Sequence, residues 1–221
     1  MPQPAPTPLQ PRGLPQLKAD TAAIWRAGVK AVHGRTLVRQ QLVLDGHWLG
    51  LPAEEHWIDL SEYDTVYVAG AGKAAAAMAQ GVADVLQPLV GTKGCRGHIN
   101  VPGTLDFETA RHTLELVEDW RPFFSDDVTG GRSGPPIQTF VVRPPGLNFA
   151  TPLAVEQTQN LCRELRTLTP RDLCVYLWSG GASALLCWPV AGISIEEKNH
   201  AVRWLAQPGA PIESINPVRS S

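Results

Sequence analysis

Two glycine turns carry the residues best suited to chemistry. Gly70-Ala71-Gly72-Lys73 closes the apolar run Val66–Ala69 and opens a block of alanines. Ser179-Gly180-Gly181-Ala182-Ser183 closes a second apolar run, Leu173–Trp178. Glycines let backbone N–H groups approach an anion closely, and a helix start beyond the turn adds favourable potential. That potential disfavours a cation by roughly 0.3–1 kcal/mol. Lys73 is therefore poorly placed as surface decoration and well placed beside a phosphate or carboxylate. The bland alternatives are a tight strand-to-helix turn with a solvated lysine, and a flexible turn whose Ser183 caps a helix.

Three familiar motifs test these turns. The P-loop needs a glycine five residues before Gly72 and a Ser or Thr after the lysine; Tyr67 and Ala74 stand there, so it fails. The dinucleotide fingerprint matches Gly70, Gly72 and Ala75, but it wants an acid at the end of the next strand. Residues 90–96, VGTKGCR, offer none, although Arg96 could meet a 2′-phosphate. The nucleophile elbow fails because Leu185 stands where its last glycine belongs.

The elements that must position these turns alternate. Apolar residues recur at helical spacing from Leu17 through Ile24, Gly28, Ala31 and Val32. Asp45-Gly46 between Leu42–Leu44 and Trp48–Leu51 signals a hairpin ahead of the main sheet. Strands are expected at Val66–Ala69, Gly94–Val101, Thr113–Val117, Ile137–Val142 and Leu173–Trp178, and helices at Gly72–Leu86 and Pro152–Leu168. Ser194 and Glu197 form a capping box for a further helix through Gln207. Ser125–Pro136 reads as a loop. Continuous apolar strands alternating with helices specify an α/β fold: a Rossmann-like three-layer domain with a mostly parallel sheet and a small N-terminal hairpin and helix extension. Residues 1–16, rich in proline, read as a disordered arm, and 17–221 as the domain.

The remaining candidates read blandly. His98 is expected to be a satisfied core histidine, and His33, His47, His56, His112 and His200 are scattered. Trp25, Trp48, Trp57, Trp120, Trp178, Trp188 and Trp204 are expected in the core or a lid. Glu196, Glu197 and Lys198 read as a solvated helix face, and Asp126-Asp127 as a turn. No metal-ligand cluster is evident. Cys95, Cys162, Cys174 and Cys187 lie in or beside apolar segments without CxxC spacing, as buried free thiols do, which points to a reducing, cytoplasmic setting. A net charge of −2 and a pI near 6.3 argue against nucleic acid or an anionic membrane as partner. No apolar run reaches the roughly 18 residues of a membrane span.

Taken together, VYVAGAGKAAAAMA, GHINVPGT, LCVYLWSGGASALL, AGISIEEKNHAVRWL and GAPIESINPVR resemble, in order and spacing, the N-terminal domain of the type-2 glycerate kinases, the MOFRL-associated or DUF4147 domain. The resemblance spans roughly residues 17–219. It implies ATP-dependent phosphorylation of the 2-hydroxyl of D-glycerate with Mg2+, in a cleft between this domain and a smaller C-terminal one. Lys73 is similar to the family's lysine in GAGKAA, a phosphate-contacting catalytic residue. Gly70 and Gly72 belong to the same motif. Ser179, Gly180, Gly181 and Ser183 match an SGGGSAL turn lining the substrate cleft, with Ala182 in place of the middle glycine. Glu213, Asn216 and Arg219 match E-x-N-x-V-R-K-H, except that Ser220 follows Arg219. RPPGLNFATP, residues 143–152, stands where an HPxPD-like segment is common.

The resemblance implies that the C-terminal domain lies beyond Ser221, so the chain is expected to be a fragment with little activity alone. A small hydroxy acid such as glycerate is the expected partner, and a homodimer is possible. The rival readings are an NAD(P)-binding oxidoreductase domain built on GAGKAA and a non-catalytic binding remnant.

Overall fold

The computed structural model describes residues 13–89, 93–103 and 137–206. The expected strand Thr113–Val117, the loop Ser125–Pro136, His112, Trp120 and Asp126-Asp127 lie outside these residues. So do the site candidates Glu213, Asn216 and Arg219.

A four-stranded sheet organises the domain. Its strands are β4 (Thr65–Ala71), β5 (Gly94–Pro102), β6 (Ile137–Arg143) and β7 (Asp172–Trp178). They lie in the order β6-β5-β4-β7, all parallel. The alternation of side chains along β4 explains its burial on both faces. Val66 and Val68 join Ile99, Val101, Ile137 and Leu177 on one face, under α3 (Ala75–Leu86). Tyr67 and Ala69 meet Leu161 of α4 (Pro152–Leu165) on the other. Thr151 caps α4 by accepting the Ala154 N–H, and Pro152 occupies its first turn.

The N-terminal part is richer than a hairpin and a helix. β1 (Val43–Asp45), β2 (Trp48–Leu51) and β3 (His56–Asp59) form an antiparallel sheet. The Asp45-Gly46 hairpin is present, and β3 extends it. Helix α1 (Leu14–Ala31) begins three residues before Leu17, so Leu14–Gln16 are helical rather than part of an arm. Its apolar stripe buries nothing fully: Ile24 and Val32 are 73% and 68% exposed. A short polar helix, α2 (Gly34–Gln41), follows. It packs on α3, where Arg35 holds Asp84 through two hydrogen bonds of 2.6 and 3.1 Å.

Other expectations need correction. The first crossover helix starts at Ala75 rather than Gly72, and α4 ends at Leu165 rather than Leu168. Helix α5 (Ile195–Leu205) carries the full capping box between Ser194 and Glu197, but Lys198 on it is buried. Cys187 is buried while Cys174 is exposed. Every tryptophan among the described residues is exposed, from Trp57 at 41% to Trp204 at 67%. The cause is plain for Trp178. It is the last residue of β7, at the edge of the described sheet, and is 62% exposed.

Candidate active site at the strand switch point

The chain leaves β4 for β5 on one side and returns from β6 to β7 on the other. A crevice therefore opens beyond the carboxyl ends of β4 and β7, where doubly wound sheets bind ligands. Both glycine turns stand there. Ala71 pairs with Trp178, and the two chains leave the sheet side by side.

The turns are bonded to each other. Ser179 N–H donates to Ala71 O at 3.1 Å, and Lys73 N–H donates to Gly180 O at 3.0 Å. Gly72 N–H donates to Asn100 O at 3.2 Å. Ser179 Oγ accepts the Ala74 N–H at 3.0 Å, so the second turn caps the helix that follows the first. This contact explains the glycines. A Cβ on Gly70 would lie 2.3 Å from Leu177 O, and one on Gly72 would lie 2.0 Å from Ser179 Oγ. Gly72 also has φ +137°, a region L-residues avoid.

A correction follows. The N–H groups of Gly72, Lys73 and Ala74 are occupied by protein acceptors, so the first turn is not an amide cradle. This weighs against the dinucleotide reading, in which amides at this turn and helix start hold a pyrophosphate. The second turn differs. Among the described residues, the N–H groups of Gly180, Gly181, Ala182 and Ser183 have no acceptor. Gly181 takes φ +88° and leads into a short 3-10 turn, Ala182–Ala184, rather than a helix capped by Ser183.

Lys73 reaches toward this second turn. A Cβ built on Gly181 would lie 3.6 Å from Lys73 Cε and 3.7 Å from Arg143 Nη2. Two cations thus flank one glycine. Lys73 is exposed, whereas Arg143, the last residue of β6, is 5% exposed. Sequence reading missed Arg143 as a site residue. The available signal was a cation ending an apolar parallel strand, where its side chain reaches the ligand end of the sheet.

His98 is buried as expected, at 1% exposure, with both ring nitrogens engaged. Among the described residues, no three His, Cys, Asp or Glu side chains group to hold a metal. No described helix is long and apolar enough to cross a membrane.

Fold and site together define a Rossmann-like α/β domain whose strand switch point gathers cations and amides fit for an anion. The chain belongs to the family described as "Domain of unknown function (DUF4147)", which matches residues 20–221. It is 28% identical to a glycerate kinase of Danio rerio over 207 residues, covering 92% of this chain and 36% of that protein. A D-glycerate 2-kinase of Thermotoga maritima is 33% identical over 89 residues, covering 40% of this chain and 21% of its own. The crystal structure of a glycerate kinase from Thermotoga maritima superposes with a TM-score of 0.55 at 23% identity, over 93% of this chain and 38% of that one. A protein from Pyrococcus horikoshii superposes with a TM-score of 0.62 at 20% identity, over 91% and 38%. The chain thus spans little more than a third of the relatives it matches along most of its length.

Proposed function

We propose that this domain, taken as residues 17–221, supplies one wall of a glycerate 2-kinase cleft and handles the transferred phosphoryl group of ATP. The observation that carries the reading is the convergence of Lys73 and Arg143 on Gly181, beside four amides that have no acceptor among the described residues. The names of the relatives supply the substrate class, a small hydroxy acid.

Phosphoryl transfer asks for positioning and charge neutralisation more than for covalent chemistry. Lys73 and Arg143 offset charge on the phosphoryl oxygens, and the Gly180–Ser183 amides orient them. Gly70 and Gly72 serve indirectly, by letting the two turns lie in contact. Ser179 holds the start of α3. When bound, ATP would supply the phosphoryl group, and Mg2+ would offset charge on its phosphates. Glu213, Asn216 and Arg219 remain proposed substrate contacts on the strength of the motif. The proposed setting is the cytoplasm, with a homodimer as an open arrangement.

Calorimetric titration tests the reading. MgATP is expected to bind the wild-type chain, and K73M is expected to weaken it. NADH is expected to give no heat. Binding of NADH without binding of MgATP would overturn the proposal.

A further inference from the structure

The second glycine turn has an aromatic neighbour that the phosphate chemistry leaves unused. Trp178 ends β7 and is joined directly to Ser179. It pairs with Ala71 across the sheet, and Tyr176 pairs with Ala69. Side chains alternate along a strand, and directly paired residues share a face. Trp178 and Tyr176 therefore stand together beside two alanines, whose methyl groups are too short to cover a ring. Their ring centroids lie 5.9 Å apart with the planes tilted by 35°. Aromatic pairs attract at this spacing, so Tyr176 limits rotation of the indole. Both rings remain open, Trp178 at 62% and Tyr176 at 44% exposure. The other described tryptophans are placed differently. Trp25 belongs to α1, Trp48 and Trp57 to the antiparallel sheet and Trp204 to α5, and Trp188 meets Arg166.

Between the indole and the cations there is room. Among the described residues, a Cβ built on Gly180 meets nothing within 4 Å. The next residue, Gly181, is the one flanked by Lys73 and Arg143. Gly180 follows Trp178 by two residues, so their Cα atoms are at most about 8 Å apart. The chain thus presents, in order, an exposed indole, an open glycine, a row of amides and two cations. A nucleotide carries the matching order of a flat base, a sugar and a chain of phosphates.

We propose that Trp178, supported by Tyr176, is the platform on which the base of the nucleotide stacks while its phosphates meet the Gly180–Ser183 amides. This rests on the kinase reading, because the amides and cations set where the phosphates lie. The edge of a sheet exposes many side chains; the place beside the amide turn is what gives this ring a ligand. Stacking covers apolar area on both the indole and the base. It reads the flat face of the base rather than its hydrogen-bonding edge.

Tripolyphosphate carries the phosphate chain without sugar or base, so it separates the platform from the anion site. Calorimetry on the purified full chain compares MgATP with magnesium tripolyphosphate. Wild type is expected to bind MgATP more tightly. Trp178→Leu keeps apolar bulk but has no ring. It is expected to lower MgATP affinity roughly 5- to 150-fold, the worth of one base stacked on an aromatic side chain, and to leave tripolyphosphate affinity unchanged. Trp178→Phe, with a smaller ring, is expected to fall between. Lys73→Met is expected to weaken both ligands alike. NMR reads the wild-type protein itself: the Trp178 indole N–H, assigned by its loss in W178F, is expected to shift with MgATP and to stay in place with tripolyphosphate. An equal loss of both ligands in W178L, or an indole signal that MgATP leaves unmoved, overturns the platform while the kinase reading stands. If wild type binds neither ligand, the kinase reading fails and the platform fails with it.

Discussion

Ser179 Oγ accepts the Ala74 N–H at 3.0 Å, joining two turns that lie 105 residues apart in the chain. Helix α3 therefore takes its cap from the loop after β7 rather than from its own sequence. The two turns form one unit, and the stability of the site is coupled to that contact.

The first prediction concerns this unit. Ser179→Ala should cost about 1 kcal/mol, as the loss of a helix cap does. Gly72→Ala should cost more than about 1 kcal/mol, because its φ and the 2.7 Å approach to Ser179 O both oppose a side chain. Gly180→Ala meets nothing within 4 Å and should stay within about 0.5 kcal/mol of wild type. Urea unfolding of the three variants checks the ranking, and an equal cost at Gly72 and Gly180 would contradict it.

A second prediction separates the two cations. Lys73→Met removes an exposed charge and should leave the melting temperature nearly unchanged. It should also lower affinity for MgATP by about 10- to 100-fold, the range for a hydrogen bond to a charged group. Arg143→Met should weaken binding comparably. Because Arg143 is buried, this change should also shift stability. Calorimetric binding beside thermal melting resolves the two effects.

A third prediction follows from the α5 capping box. The backbone N–H of Ser194, then its hydroxyl contact, holds the Glu197 carboxyl below its usual range. A folded value below the unfolded one stabilises fully above the unfolded value, and the effect is lost as pH falls through the folded value. Protection of the first-turn amides of α5 against exchange, taken relative to the intrinsic rate at each pH, should therefore fall in acid, below about pH 4. Glu197→Gln should flatten that dependence. An unchanged acid response in the variant would remove the carboxylate as its cause.

The main sheet was legible because β4 and β7 each contain an apolar run, Val66–Ala69 and Leu173–Trp178, that leads into a glycine turn, and such runs suit strands buried between helices. The same logic failed for the tryptophans. Apolar size suggested a core or a lid, but Trp178 and Tyr176 on edge strand β7 are 62% and 44% exposed. Helix α2 went unseen because GRTLVRQQ is short and polar, and its support is tertiary. Arg35 bonds Asp84 of α3. Gly34 lies close against Met78.

At the site, the sequence pointed to both turns and to Lys73. It could not show that the first turn's amides are occupied, since their acceptors, Asn100 O, Gly180 O and Ser179 Oγ, come from distant segments. Arg143 was hidden for the same reason. Its nearness to Gly181 depends on the strand order, which places β6 and β7 at opposite edges yet brings their ends to one crevice.

The most direct test of the central claim is phosphoryl transfer by the protein purified from its source, followed by 31P NMR with MgATP and D-glycerate. The account expects phosphate on the 2-hydroxyl, and loss of at least about 100-fold in rate for Lys73→Met, as when a group stabilising developing charge is removed. Equal rates for wild type and Lys73→Met, with the product formed, would contradict it.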